Sequence, residues 1–154
     1  MENLVSTVTS AILSLMPLWS TDAEQARAAQ YAAIVIEESQ AVQPEVDPFL
    51  VVAIIYRESS FRAEVRGKRG EVGLMQILPL GTLTRSITKD DLTDVRTNIR
   101  VGINHLVYWQ SECGADRTLV WVSAYNSGKC RANGYGKRVL RLYNRLKASP
   151  GTIS

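Results

Sequence analysis

Apolar residues recur at helical spacing along most of the chain. In LVSTVTSAILSLMPLW, Leu4, Val8, Ile12, Leu15 and Trp19 are separated by hydroxyl residues, which predicts an amphipathic first helix. A capping residue within Ser20 to Asp22 opens a second, AEQARAAQYAAIVIEESQ, rich in helix formers and striped by Ala26, Ala29, Ala33 and Ile36 until Pro44. Asp47 followed by Pro48 starts a third helix: the carboxylate satisfies free N–H groups, and the proline sits where its missing N–H costs nothing. That helix is expected to reach about Phe61. GKRGEVG, residues 67–73, predicts a glycine-punctuated loop or a short β-hairpin, after which LMQIL resumes until Pro79. Thr97 or Asn98 is expected to cap NIRVGINHLVYWQSE, and TLVWVSAYNSG reads as helix as far as Asn126 to Gly128. The last helix, near Tyr135 to Lys147, places Val139, Leu142, Tyr143 and Leu146 inside and Arg138, Arg141 and Arg145 outside.

With 154 residues, 45% of them hydrophobic, the chain has enough material for one domain with a proper core. We therefore expect a mainly α fold, with N-terminal helices in residues 1–45 and a core over 46–148. The net charge of +3 attracts polyanions only weakly and lacks the dense basic blocks of a dedicated nucleic-acid binder. No Lys or Arg precedes Arg27, so the N-terminal stretch reads as a helix rather than a secretory signal, and no run is long enough to span a bilayer. Cys113 and Cys130 form no C-x-x-C or Cys/His cluster; a disulfide outside the cytosol and two separate buried thiols both remain open. His105 stands mid-helix without a ligand partner and reads as structural. Asp90, Asp91 and Asp94 fit no metal-site spacing.

One acidic residue departs from this pattern. Glu58 closes the apolar run DPFLVVAIIY and continues the stripe of Val51, Ile54 and Ile55, so its carboxyl emerges at the edge of the core. Partial burial disfavours the ionised form, which suits a proton donor near neutral pH. The plain alternative is an exposed helix end paired with Arg57, Arg62 or Arg66.

The company of Glu58 adds a family resemblance. E-S-x-F at Glu58 to Phe61, Gly70, and G-L-M-Q at Gly73 to Gln76 resemble the signature of the soluble lytic transglycosylases, which have the goose-type lysozyme-like fold. A-Y-N-x-G at Ala124 to Gly128, N-I-x-x-G at Asn98 to Gly102 and Y-x-x-x-V-L at Tyr135 to Leu140 are similar in the same order, so the resemblance covers roughly residues 46–145. It implies an enzyme cutting the β-1,4 bond between N-acetylmuramic acid and N-acetylglucosamine in peptidoglycan, leaving 1,6-anhydro ends. Glu58 is then the single general acid and base. Ser59, Gln76, Tyr125, Asn126 and Tyr135 are the implied substrate-binding residues, Tyr125 also holding the Glu58 carboxyl. No cofactor or metal is implied. The implied partner is the peptidoglycan glycan strand, without nucleic acid or stable membrane insertion, for a monomer acting in the periplasm or wall, including as a phage endolysin released through a holin.

Two positions depart from the family pattern: Gly67 stands where the family carries Ser, and Glu71 where it carries Ala. Glu71 either sits in solvent beside Lys68 and Arg69 or supplies a second carboxylate that activates water, giving a hydrolytic goose-type muramidase. The inverting version of that chemistry needs carboxyls roughly 6.5–9.5 Å apart. A non-catalytic peptidoglycan-binding component is a further reading, and nucleic-acid binding through Arg138, Arg141 and Arg145 leaves the Glu58 to Gln76 pattern unexplained.

Overall fold

The computed structural model describes residues 2–148. Six α-helices occupy most of them: α1 (Glu2–Leu15), α2 (Asp22–Gln40), α3 (Pro48–Ser59), α4 (Val95–Cys113), α5 (Thr118–Ser127) and α6 (Gly134–Ala148). Their starts follow local chemistry. Thr21 and Glu24 form a reciprocal capping box at α2. Asp47 accepts from the Phe49 N–H at 2.9 Å at α3, with Pro48 in the first turn. α4 begins a turn before the expected Thr97 or Asn98 cap, because Asp94 accepts from the Thr97 N–H at 2.8 Å.

α3 is the central element, with α1, α2 and α6 all packed against it. Phe49 to Ile55 are all buried, so α3 is apolar nearly all round and must be enclosed. The N-terminal helices are part of that enclosure, since Val8, Ile12, Ala32 and Val35 belong to the same buried cluster. α2 is also tied to α4 by ions: Glu38 receives Arg96 at 2.9 Å and Arg100 at 3.0 Å. At the far end Asp47 accepts from the Tyr143 hydroxyl and pairs with Lys147, both at 2.9 Å, fixing α6 to the start of α3.

The segment between α3 and α4 is irregular. Residues 66–73 do not form a hairpin of two strands; Val72 makes isolated antiparallel bridges to Arg66 and Ile77. LMQIL is not helical either. Its Leu74, Met75 and Ile77 are buried within a turn in which Gly73 and Gln76 have φ of 77° and 48°. Those apolar residues point into the core from a compact loop, a pattern a short helix would also give.

The two cysteines are joined, with Cα atoms 5.2 Å apart, tying the end of α4 to the loop after α5 across a separation of 17 residues. Closing a loop of this length contributes about 3 kcal/mol on the chain-entropy account. Replacing both cysteines by serine should therefore lower the urea midpoint of unfolding, through a loss of about 3 kcal/mol in stability, and steepen its slope, because the unfolded chain without the bridge exposes more surface. An unmoved midpoint would show that the bridge contributes nothing to stability.

Candidate active site

Glu58 occupies the last turn of α3, half-buried, at the edge of a hollow of about 210 Å³ whose walls include Glu71, Arg69, Gln76, Tyr125 and Asn126. A larger hollow of about 450 Å³ shares these last five residues and runs on between the 77–84 loop and α4, past His105 and Trp109. Together they make one cleft with a carboxyl set into its wall. Burial pushes the Glu58 carboxyl above its ordinary range; the Tyr135 hydrogen bond opposes this, the charge of Glu71 reinforces it, and Arg57 opposes it again. A carboxyl so placed keeps a proton to higher pH than a solvated one.

The group that grips Glu58 is Tyr135, from the second residue of α6, whose hydroxyl donates to Oε1 at 2.5 Å. Tyr125, expected from the resemblance to hold the acid, instead donates to the Met75 carbonyl at 2.8 Å. The difference follows from direction: Tyr125, on α5, reaches the loop that floors the cleft, whereas Tyr135 reaches the end of α3. Ser59 is also displaced from its expected role. It is 2% exposed, and its hydroxyl donates to the carbonyls of Leu74 and Ile55 at 2.9 and 3.2 Å, so it faces the core and ties the acid's helix to the loop. Gln76 spends its NH₂ group on the Val65 and Gly73 carbonyls at 3.1 and 2.9 Å, leaving its carbonyl oxygen as the acceptor toward the cleft. Asn126 is exposed on the cleft wall.

Tyr135→Phe removes a donor to the charged form of Glu58. A hydrogen bond to a charged group contributes about 1.5–3 kcal/mol, and one pH unit corresponds to about 1.4. The loss should raise the Glu58 pKa further, since the Tyr135 hydrogen bond now holds it down. The alkaline limb of kcat/KM is expected to move up in pH with it, with about tenfold lower activity at its optimum. An unchanged limb would remove Tyr135 from the acid's environment.

The cleft floor is held by a residue that in sequence is a possible cap and the first position of N-I-x-x-G. Asn98, 1% exposed on α4, accepts from the Met75 N–H at 2.9 Å and donates to the carbonyls of Val72 and Leu92 at 2.8 and 3.0 Å. All of its amide is used in pinning the 72–76 turn to α4. Gly102, one turn on, has no room for a side chain because the Met75 sulfur fills that space. N-I-x-x-G and G-L-M-Q are therefore two halves of one contact. The signal available in sequence was a polar residue interrupting an apolar stripe four positions before a glycine.

Other candidates fall outside the cleft chemistry. Asp94 caps α4, and Asp91 accepts from the Thr88 N–H and hydroxyl. No group of three or more potential ligands is close enough to hold a metal among the described residues. His105 lies 6.3 Å from the Tyr125 ring and lines the larger hollow; burial lowers its pKa to about 4, so it is neutral at pH 7.

Comparisons with known proteins place the chain among its relatives. Over 96 residues, 56% of this chain, it is 32% identical to the soluble lytic murein transglycosylase of Escherichia coli (strain K12). Over the same length it is 31% identical to the protein of the same description from Salmonella typhimurium. The matched stretch is 15% of the length of each relative, so this chain corresponds to a small part of them. The Transglycosylase SLT domain family matches residues 33–144, well over half of the chain, and includes every element that touches the cleft. The chain belongs to the transglycosylase SLT family.

Proposed function

We propose that the chain cleaves peptidoglycan glycan strands as a lytic transglycosylase, with Glu58 as both acid and base. The observation that carries this reading is the Glu58 carboxyl set in the cleft wall, half-buried, held by Tyr135 and biased toward its protonated form. Glu58 donates its proton to the bridging oxygen as the bond to the muramic C1 breaks, and an oxocarbenium-like transition state forms. The same carboxylate then takes the proton of the C6 hydroxyl of that sugar, whose oxygen closes on C1. The product is a 1,6-anhydro ring, no water is consumed, and Glu58 ends protonated as it began. With no enzyme nucleophile in this scheme, the muramoyl acetamido group is the internal helper. Asn126 and the Gln76 carbonyl are placed to read polar groups of the glycan.

A setting in the periplasm or wall is supported by the Cys113–Cys130 bridge, since disulfides persist where the medium is oxidising. Among the described residues no helix is long and apolar enough to cross a membrane. Mass spectrometry of muropeptides released from purified peptidoglycan tests the reaction. Products short of one water relative to reducing-end muropeptides are the expected result. Ordinary reducing ends would establish a hydrolase and turn attention to Glu71, and no release at all would leave a glycan-binding role.

A further inference from the structure

The two departures from the family pattern, Gly67 and Glu71, meet in space. Gly67 does not have a positive φ, so its backbone conformation does not call for glycine. Its surroundings do. A Cβ there would run into Glu71 Oε2 and come within 2.9 Å of both the Glu71 Cδ and the Gln76 Oε1. The carboxylate of Glu71 thus occupies the space that a side chain at position 67 would fill. A tight turn delivers it: the Gly67 N–H donates to the Glu71 carbonyl at 2.9 Å, the Gly70 N–H to the Gly67 carbonyl at 3.1 Å, and Gly70 adopts φ 95°. Arg69 then clips the carboxylate from outside, its Nε to Oε1 at 2.8 Å and its backbone N–H to Oε2 at 3.0 Å. The Glu71 side chain is only 15% exposed and faces the same hollow as Glu58.

We propose that Glu71 is a positioning residue for Glu58: an anchored anion, seated by Gly67 and Arg69, whose negative charge favours the protonated, proton-donating form of the acid. Two carboxylates sharing one small hollow resist ionising together, and the better-anchored one ionises first. Partial burial works against the ionised form of Glu71, but its own backbone N–H and the Arg69 clip outweigh this and leave it below the ordinary carboxylate value. Glu58 lacks such a clip. Tyr135 and Arg57 favour its anion, burial and Glu71 oppose it, Tyr125 bonds elsewhere, and Lys68 lines the hollow. A clipped carboxylate is a poor base for water, which separates this role from that of a hydrolase's second acid.

The catalytic consequence rests on the transglycosylase reading, but the test does not. Carbon-detected NMR titration of the Glu58 carboxyl should show its midpoint falling by about half a unit or more in Glu71→Gln. If the wild type releases muropeptides, the alkaline limb of kcat/KM should fall with it, because the donor loses its proton at lower pH. The seat is tested by a cycle. Gly67→Ser puts a side chain where the Glu71 carboxylate sits and should lower the Glu58 midpoint as Glu71→Gln does, and the double variant should lower it no further. An unmoved Glu58 midpoint in Glu71→Gln, or in Gly67→Ser, overturns the proposal. A wild type that releases nothing overturns the reaction instead and leaves the titration and the cycle to judge Glu71.

Discussion

Glu58→Gln is expected to abolish release of muropeptides, by about a thousandfold or more, while the fold and glycan binding persist. The size of the effect follows from the use of one group twice. A carboxyl serving only as acid typically contributes about 10²–10⁴ in rate, and here the same atoms must also accept the C6 proton. Glutamine keeps the shape, and its amide oxygen still accepts from Tyr135, so the tertiary contacts of the end of α3 survive. The expected outcome is an unchanged unfolding midpoint, retained pull-down on insoluble peptidoglycan and no products by mass spectrometry. Turnover within tenfold of wild type would mean that another group carries the proton, and Glu71, the other carboxyl of the same hollow, would be the next to replace.

The largest loss of stability should come from Phe61→Ala. Phe61 is 1% exposed, stacks on Tyr31 of α2 with centroids 6.4 Å apart, and meets the edge of Trp19 at 6.3 Å. Removing a buried phenyl ring costs about 3–5 kcal/mol, since the cavity left behind adds to the lost transfer energy. This ring also fixes the direction of the chain as it leaves α3, where Ser60 and Phe61 have φ of 49° and 58°. Urea unfolding should show the midpoint falling with little change of slope. A shift corresponding to less than about 1 kcal/mol would mean that the neighbouring rings close over the gap. Activity should fall along with stability, because Glu58 lies three residues upstream.

Some of this was legible in sequence because it is written locally. The cap within Ser20 to Asp22, the Asp47–Pro48 start and the apolar stripe ending in Glu58 each need only a few neighbouring residues to be read, and the helices they predict are present. What depends on distant partners was not. Ser59 has the same chemistry whether it faces the cleft or the Leu74 carbonyl, and only the packing of the 72–76 turn decides. Tyr125 and Tyr135 are equally able to hold a carboxylate, and the helix directions give that role to Tyr135. LMQIL carries the apolarity of a helix because its side chains enter the core, although its backbone turns too sharply for one. The pairing of Gly67 with Glu71 is visible in sequence only as two unrelated departures; that one makes room for the other requires atomic positions.

The rings around Phe61 bear on how this protein can be cut and grafted. Trp19 and Tyr31 both precede residue 33, where the family match begins, yet they close over the aromatic residue of the acid's own motif. A fragment trimmed to the matched boundaries would keep the motif residues and lose the lid on their anchor, exposing an apolar socket beside Glu58. Chimeras that transplant this cleft into another chain should therefore carry the segment from Trp19 onward, or supply a substitute roof for Phe61.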